Sequence, residues 1–123
     1  MAKILIIDDE DAVRSALARI LARDGHEILQ ASNGAEAVDI VEDEPVDLVF
    51  TDIFMPEMDG IEFVLWVVER FPERPVVAMS GGGAMPMDAA LGDARALGAF
   101  DVVEKPLDPE RVRSVVSAAL DES

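Results

Sequence analysis

Short apolar runs alternate with amphipathic stretches along the whole chain. Ile4-Leu5-Ile6-Ile7, Leu48-Val49-Phe50 and Val76-Val77-Ala78-Met79 are too short for helices and too continuous for strands with one wet face. Such runs belong to strands buried on both sides, as in a parallel sheet. Ile28-Leu29-Gln30-Ala31 and Phe100-Asp101-Val102-Val103 recur at similar spacing as weaker strand candidates. Between the runs, Val13, Ala16, Leu17, Ile20 and Leu21 follow helical spacing, and Val112, Val115, Val116, Ala119 and Leu120 repeat it. Each set forms one stripe that packs on the sheet. Asn33 three residues before Glu36, Asp59 three before Glu62, and Asp108-Pro109 read as helix starts, and Gly25 as the stop of the first helix. Strand then helix, five times over, predicts a doubly wound α/β domain of five parallel strands and five helices, because parallel neighbours need right-handed crossovers. No linker or repeat divides the chain, so residues 1–123 read as a single domain. The segment Gly81-Gly82-Gly83-Ala84-Met85-Pro86 is the one loop of unusual composition, and it delays the start of the fourth helix.

Composition narrows the function. A formal net charge of −16 and a pI near 4.1 oppose nucleic acid or an anionic membrane as partner, and favour cations and basic protein faces. The absence of cysteine removes thiolate chemistry, disulfides and cysteine zinc sites, which suits a cytoplasmic protein. Met1-Ala2-Lys3 runs straight into a short strand, with no stretch long enough for a signal sequence or a membrane span.

In open α/β sheets the ligand site lies beyond the carboxyl ends of the strands, where the winding reverses. Asp8 and Asp9 follow the first strand, Asp52 ends the third, Ser80 ends the fourth and Lys105 follows the fifth. If the strand order is 2-1-3-4-5, the first and third strands are neighbours about 4.8 Å apart, and the three aspartates crowd one crevice. An oxygen-only cluster with few ligands suits Mg²⁺ better than Ca²⁺. Lys105 and Ser80 add an ammonium and a hydroxyl donor, a combination that fits a phosphoryl group. The set reads as a metal-assisted phosphoryl-transfer site in which Asp52 is the carboxylate nucleophile.

Asp8-Asp9, the stretch Asp52-Ile53-Phe54-Met55-Pro56-Glu57-Met58-Asp59-Gly60, Ser80 and Lys105-Pro106 stand in this order at successive strand ends. In this the chain closely resembles the response-regulator receiver domains of two-component signalling, from about Lys3 to Leu120. The resemblance implies a flavodoxin-like fold with the order 2-1-3-4-5. It also implies that Asp9, Asp52 and the backbone carbonyl of Phe54 ligate Mg²⁺ while Asp8 orients a metal-bound water. Ser80 and Lys105 would hold phosphoryl oxygens, with a cis Lys105-Pro106 peptide. The implied donor is a histidine kinase or a phosphotransfer protein. The implied output surface is the fourth helix, fifth strand and fifth helix, read by a downstream protein.

The chain departs from the family at Val102, where an aromatic ring is usual three residues before the active-site lysine. Phe100 is expected on the same strand face as Val102 but too far along to substitute, so output is expected to run through the loop and helix after Ser80. The triple-glycine loop reads as a connection rather than a phosphate cradle, since no Gly-Lys-Ser/Thr follows. Asp11 is expected to cap the first helix, and His26 to lie on the surface, away from the crevice. The third helix, from Ile61 to Val68, is apolar almost all round, which predicts deep burial; exposure of Phe63 or Trp66 would instead mark a contact face. A monomer is expected, with a dimer through that helix as the other arrangement. The expected function is that of a phosphoacceptor in a phosphorelay rather than an enzyme acting on foreign substrates. An aspartyl-nucleophile phosphatase is the alternative from another class, but its usual second acid two residues on is replaced by Phe54. A binding-only pseudo-receiver is the third, disfavoured by the intact acid, hydroxyl and lysine set.

Overall fold

The computed structural model describes residues 2–52, 60–80 and 98–121. Five strands, β1 (Lys3–Ile7), β2 (Glu27–Ala31), β3 (Leu48–Asp52), β4 (Val76–Ser80) and β5 (Asp101–Glu104), form one parallel sheet in the order β2-β1-β3-β4-β5. The described helices are α1 (Asp11–Ala22), α2 (Gly34–Asp43), α3 (Gly60–Arg70) and α4 (Pro109–Asp121). The last is the fifth of the helices the pattern predicts; the expected fourth, and the glycine-rich segment before it, lie outside the described residues. No helix among the described residues is long and apolar enough to cross a membrane.

Successive side chains of a strand point to opposite faces, so the continuous apolar runs feed two cores. Leu5, Ile7, Val49, Ala78 and Val102 meet Ala37, Val41, Phe63, Val64 and Val67 of α2 and α3. On the other face Ile4, Ile6, Leu48, Phe50, Val77, Met79 and Val103 meet Leu17 and Leu21 of α1 and Val112, Val115, Val116 and Ala119 of α4. The double winding therefore follows from strands with no polar face.

Helix termini follow local chemistry, with one correction. Asn33 Oδ1 accepts the Glu36 amide at 2.8 Å, and Asp108 Oδ1 accepts the Glu110 amide at 3.1 Å ahead of Pro109. Gly25, at φ +85°, donates to Ala22 O and ends α1. Asp11, expected as the cap of α1, is instead its first residue, and Glu10 holds the cap position without a side-chain bond. The helix begins one residue earlier because the Arg14 amide donates to the Glu10 carbonyl at 3.2 Å, while Asp8 Oδ1 holds the Glu10 amide. Asp59, expected to start α3, lies outside the described residues.

Phe100 is the second correction. It packs against the α1/α4 core, opposite Val102, because it sits in a bend before β5 where strand alternation does not hold. Phe63 is fully buried and Trp66 half-buried, so the apolar girth of α3 goes mainly into the core, while Leu65 is 46% exposed. His26 Nδ1 accepts the Ala2 amide at 3.1 Å, tying the start of the chain to β2.

Candidate functional site

Ile7 pairs with Thr51 in the β1/β3 register, so the next residues, Asp8 and Asp52, leave the sheet side by side. Lys105 directly follows β5, across β4 from these acids, and precedes a cis Lys105–Pro106 peptide. Its Nζ lies 2.7 Å from Asp8 Oδ2 and 3.3 Å from Asp52 Oδ2. Residues 53 positions apart thus meet at one sheet edge. The backbone of Ser80 reaches the same edge, paired with Glu104. Phe54 lies outside the described residues, as does the side chain of Ser80.

Burial grades the acids. Asp8 is fully buried and Asp52 is 6% exposed, whereas Asp9 and Glu10 are open to solvent. Asp8, Asp9 and Glu10 each offer an oxygen within 4.8 Å of the others. Asp8 is committed on both sides, with Oδ1 accepting the Glu10 amide at 2.9 Å and Oδ2 facing the Lys105 ammonium. That ammonium approaches Oδ2 off the direction of a well-formed hydrogen bond, so the oxygen keeps unused accepting capacity although it is shut off from water. Burial pulls the Lys105 pKa down and is the largest single influence. The close Asp8 contact and the Asp52 and Asp8 charges together outweigh it and hold the ammonium above its ordinary 10.5.

Three groups at this edge went unnoticed in sequence. Thr51 is fully buried and its hydroxyl donates to Asp52 O at 3.0 Å, stiffening the end of β3. Glu10 brings a third acid to the β1–α1 loop. Arg14 donates to the Asp8 carbonyl and to the Asp11 carboxylate from one guanidinium. Only the arginine carried a signal, as a cation one helical turn from an acid.

Lys105 faces Asp8 and Asp52, while Asp9 and Glu10 gather beside Asp8, so the edge is rich in negative charge, and the donors are all hard oxygens, one of them buried and underused. Such a set fits a divalent cation of the Mg²⁺ type.

A buried acid pair clasping a lysine at the carboxyl edge of a doubly wound sheet is the arrangement of a phosphorelay receiver, the class in which the family match places this chain. The chain belongs to the response regulator receiver domain family, whose model matches residues 4–117. It is similar to sporulation initiation phosphotransferase F of Bacillus subtilis, at 35% identity over 96% of this chain and 93% of that protein. It is also similar to response regulator protein PilR of Pseudomonas aeruginosa, at 36% identity over 96% of this chain but 26% of that protein. The chain thus spans nearly all of one such relative and about a quarter of the other. Among solved structures, the receiver domain of NtrX from Brucella abortus superposes with a TM-score of 0.91 at 34% identity, covering 98% of this chain and 99% of that one.

Proposed function

We propose that residues 1–123 form one phosphoacceptor switch, in which Asp52 takes a phosphoryl group from a histidine kinase or phosphotransfer protein in a Mg²⁺-dependent reaction. The observation that carries this reading is the Lys105 ammonium between the buried carboxylates of Asp8 and Asp52, 2.7 and 3.3 Å from their oxygens. An Asp52 oxygen attacks phosphorus, a P–O bond forms, and the P–N bond to the donor imidazole breaks with its electron pair passing to the ring nitrogen. Asp9, Asp52 and the Phe54 carbonyl would hold Mg²⁺, with Asp8 acting through a water. When bound, the ion offsets the charge of the nucleophile and of the phosphoryl oxygens. Lys105 exchanges its Asp52 contact for a phosphoryl oxygen, and the Ser80 hydroxyl donates to another.

The added charge, about −1.5 to −2, biases a surface read by a downstream protein, assigned to the expected fourth helix, β5 and α4. Turnover on foreign substrates is not expected, because no second acid follows Asp52 at the position of Phe54. A net charge of −16 argues against nucleic acid as the direct partner of this domain, and a cytoplasmic monomer fits the reading.

Intact mass spectrometry after incubation with acetyl phosphate tests it. The wild type should gain one phosphoryl group with Mg²⁺ and none with EDTA, and Asp52→Asn should gain none. Labelling that survives Asp52→Asn, or a wild type that never labels, would remove Asp52 as acceptor.

A further inference from the structure

Asp8, Asp9 and Glu10 stand on a short loop, and three carboxylates with oxygens within 4.8 Å repel one another. Two of them face solvent, and no described partner neutralises the Asp9 or Glu10 side chain. Left to itself, such a loop would open. Its backbone is held at the inner end by the Asp8 amide donating to Ala31 O and by Asp8 Oδ1 accepting the Glu10 amide. The second bond closes a turn over the Asp8–Asp9 peptide, but neither engages the Asp8 carbonyl oxygen.

Arg14 does. From the second turn of α1, Nη1 donates to the Asp8 carbonyl and Nη2 to the Asp11 carboxylate, so one planar fork spans both ends of the loop. The Arg14 side chain is only 14% exposed, although the Asp11 carboxylate it holds is 89% exposed. A guanidinium is rigid and presents donors in a fixed geometry, which a lysine ammonium cannot reproduce. We propose that Arg14 is a positioning residue for cation binding, bracing the Asp8–Asp11 turn so that Asp8 and Asp9 are presented together. This rests on the Mg²⁺ reading above.

Bracing and bare electrostatics predict opposite signs. Arg14 is a cation beside a cation site, so charge alone makes its removal tighten Mg²⁺ binding. Bracing makes removal weaken it, by about tenfold, the lower end of what groups supporting metal ligands contribute. Calorimetric titration of MgCl₂ into wild type, Arg14→Met and Arg14→Lys separates the two, with urea unfolding in EDTA run alongside. The expected result is an affinity about tenfold weaker in both variants, with Lys failing to rescue although it retains the charge. Equal or tighter binding by Arg14→Met, or wild-type affinity in Arg14→Lys, would overturn the proposal. Should Arg14→Met fail to fold, Arg14→Lys decides alone. A wild type that binds no Mg²⁺ would sink the cation reading and this inference together, whereas wild-type binding with unaffected variants sinks only this one.

Discussion

Replacing Lys105 by methionine keeps the apolar stem and deletes the one ammonium between Asp8 and Asp52. At 2.7 and 3.3 Å, and with an effective dielectric near 20, the two contacts represent roughly 6 and 5 kcal/mol of gross attraction. Desolvation of the three charges offsets most of that, and the measured cost of cutting a buried pair is about 3 to 5 kcal/mol. Lys105 retains 17% side-chain exposure, so water softens the loss, and about 3 kcal/mol is expected in EDTA at neutral pH. That is a large share of the roughly 5 to 15 kcal/mol a domain possesses. On the proposed Mg²⁺ reading, saturating Mg²⁺ would supply replacement positive charge beside these carboxylates, and the deficit should shrink to about 1 kcal/mol. Adding Asp8→Asn to the variant should return about 1 kcal/mol or more in EDTA, because one of the two buried carboxylates deprived of the Lys105 ammonium becomes neutral. Urea unfolding followed by the fluorescence of Trp66, the only tryptophan and half-buried against the α2/α3 core, reads all of these. An equal deficit with and without Mg²⁺, or no recovery in the double variant, would refute the charge argument.

Gly98→Ala should destabilise by about 2 to 3 kcal/mol, since φ is +105° and a Cβ would meet Val68 Cγ1 at 2.8 Å; Gly25→Ala, at φ +85° with open space around it, should lose only about 1 kcal/mol, and comparison of urea midpoints checks the order. Asn33→Ala should remove about 1 kcal/mol by freeing the Glu36 amide, whereas Asn33→Asp should recover most of it in the same assay. The raised Lys105 pKa means the folded chain holds this proton more tightly than the unfolded chain does. Its stabilisation is therefore complete below the ordinary value of 10.5 and declines as pH rises through the folded value. Unfolding free energies measured across that alkaline interval should fall more steeply for wild type than for Lys105→Met, and parallel curves would contradict the assignment.

Much of this was readable in the chain. The strand runs have no polar face, so a parallel sheet covered on both sides was legible before any coordinates, and the two cores fill as the alternation requires. Caps at Asn33 and Asp108 and the stop at Gly25 were legible because their chemistry spans only three or four residues. The cap of α1 falls one residue earlier than side-chain preference indicates, because the first helical bond, from the Arg14 amide, goes to the Glu10 carbonyl, a backbone choice that residue preferences do not reveal. Phe100 was assigned to the wrong face because the period of two was extended past the strand's first residue into a bend.

Residue order alone gave the fold class and the roster of acids, alcohol and lysine at the strand ends, since periodicity and side-chain chemistry are local properties. Which group meets which was a tertiary outcome. That Lys105 sits nearer Asp8 than Asp52, that Asp8 is buried while Asp9 is open, and that Arg14 reaches back to a carbonyl depend on strand register and on rotamers chosen in a crowded site. Distances between residues remote in sequence are set only when the sheet closes, and the charge balance of the crevice follows from those distances.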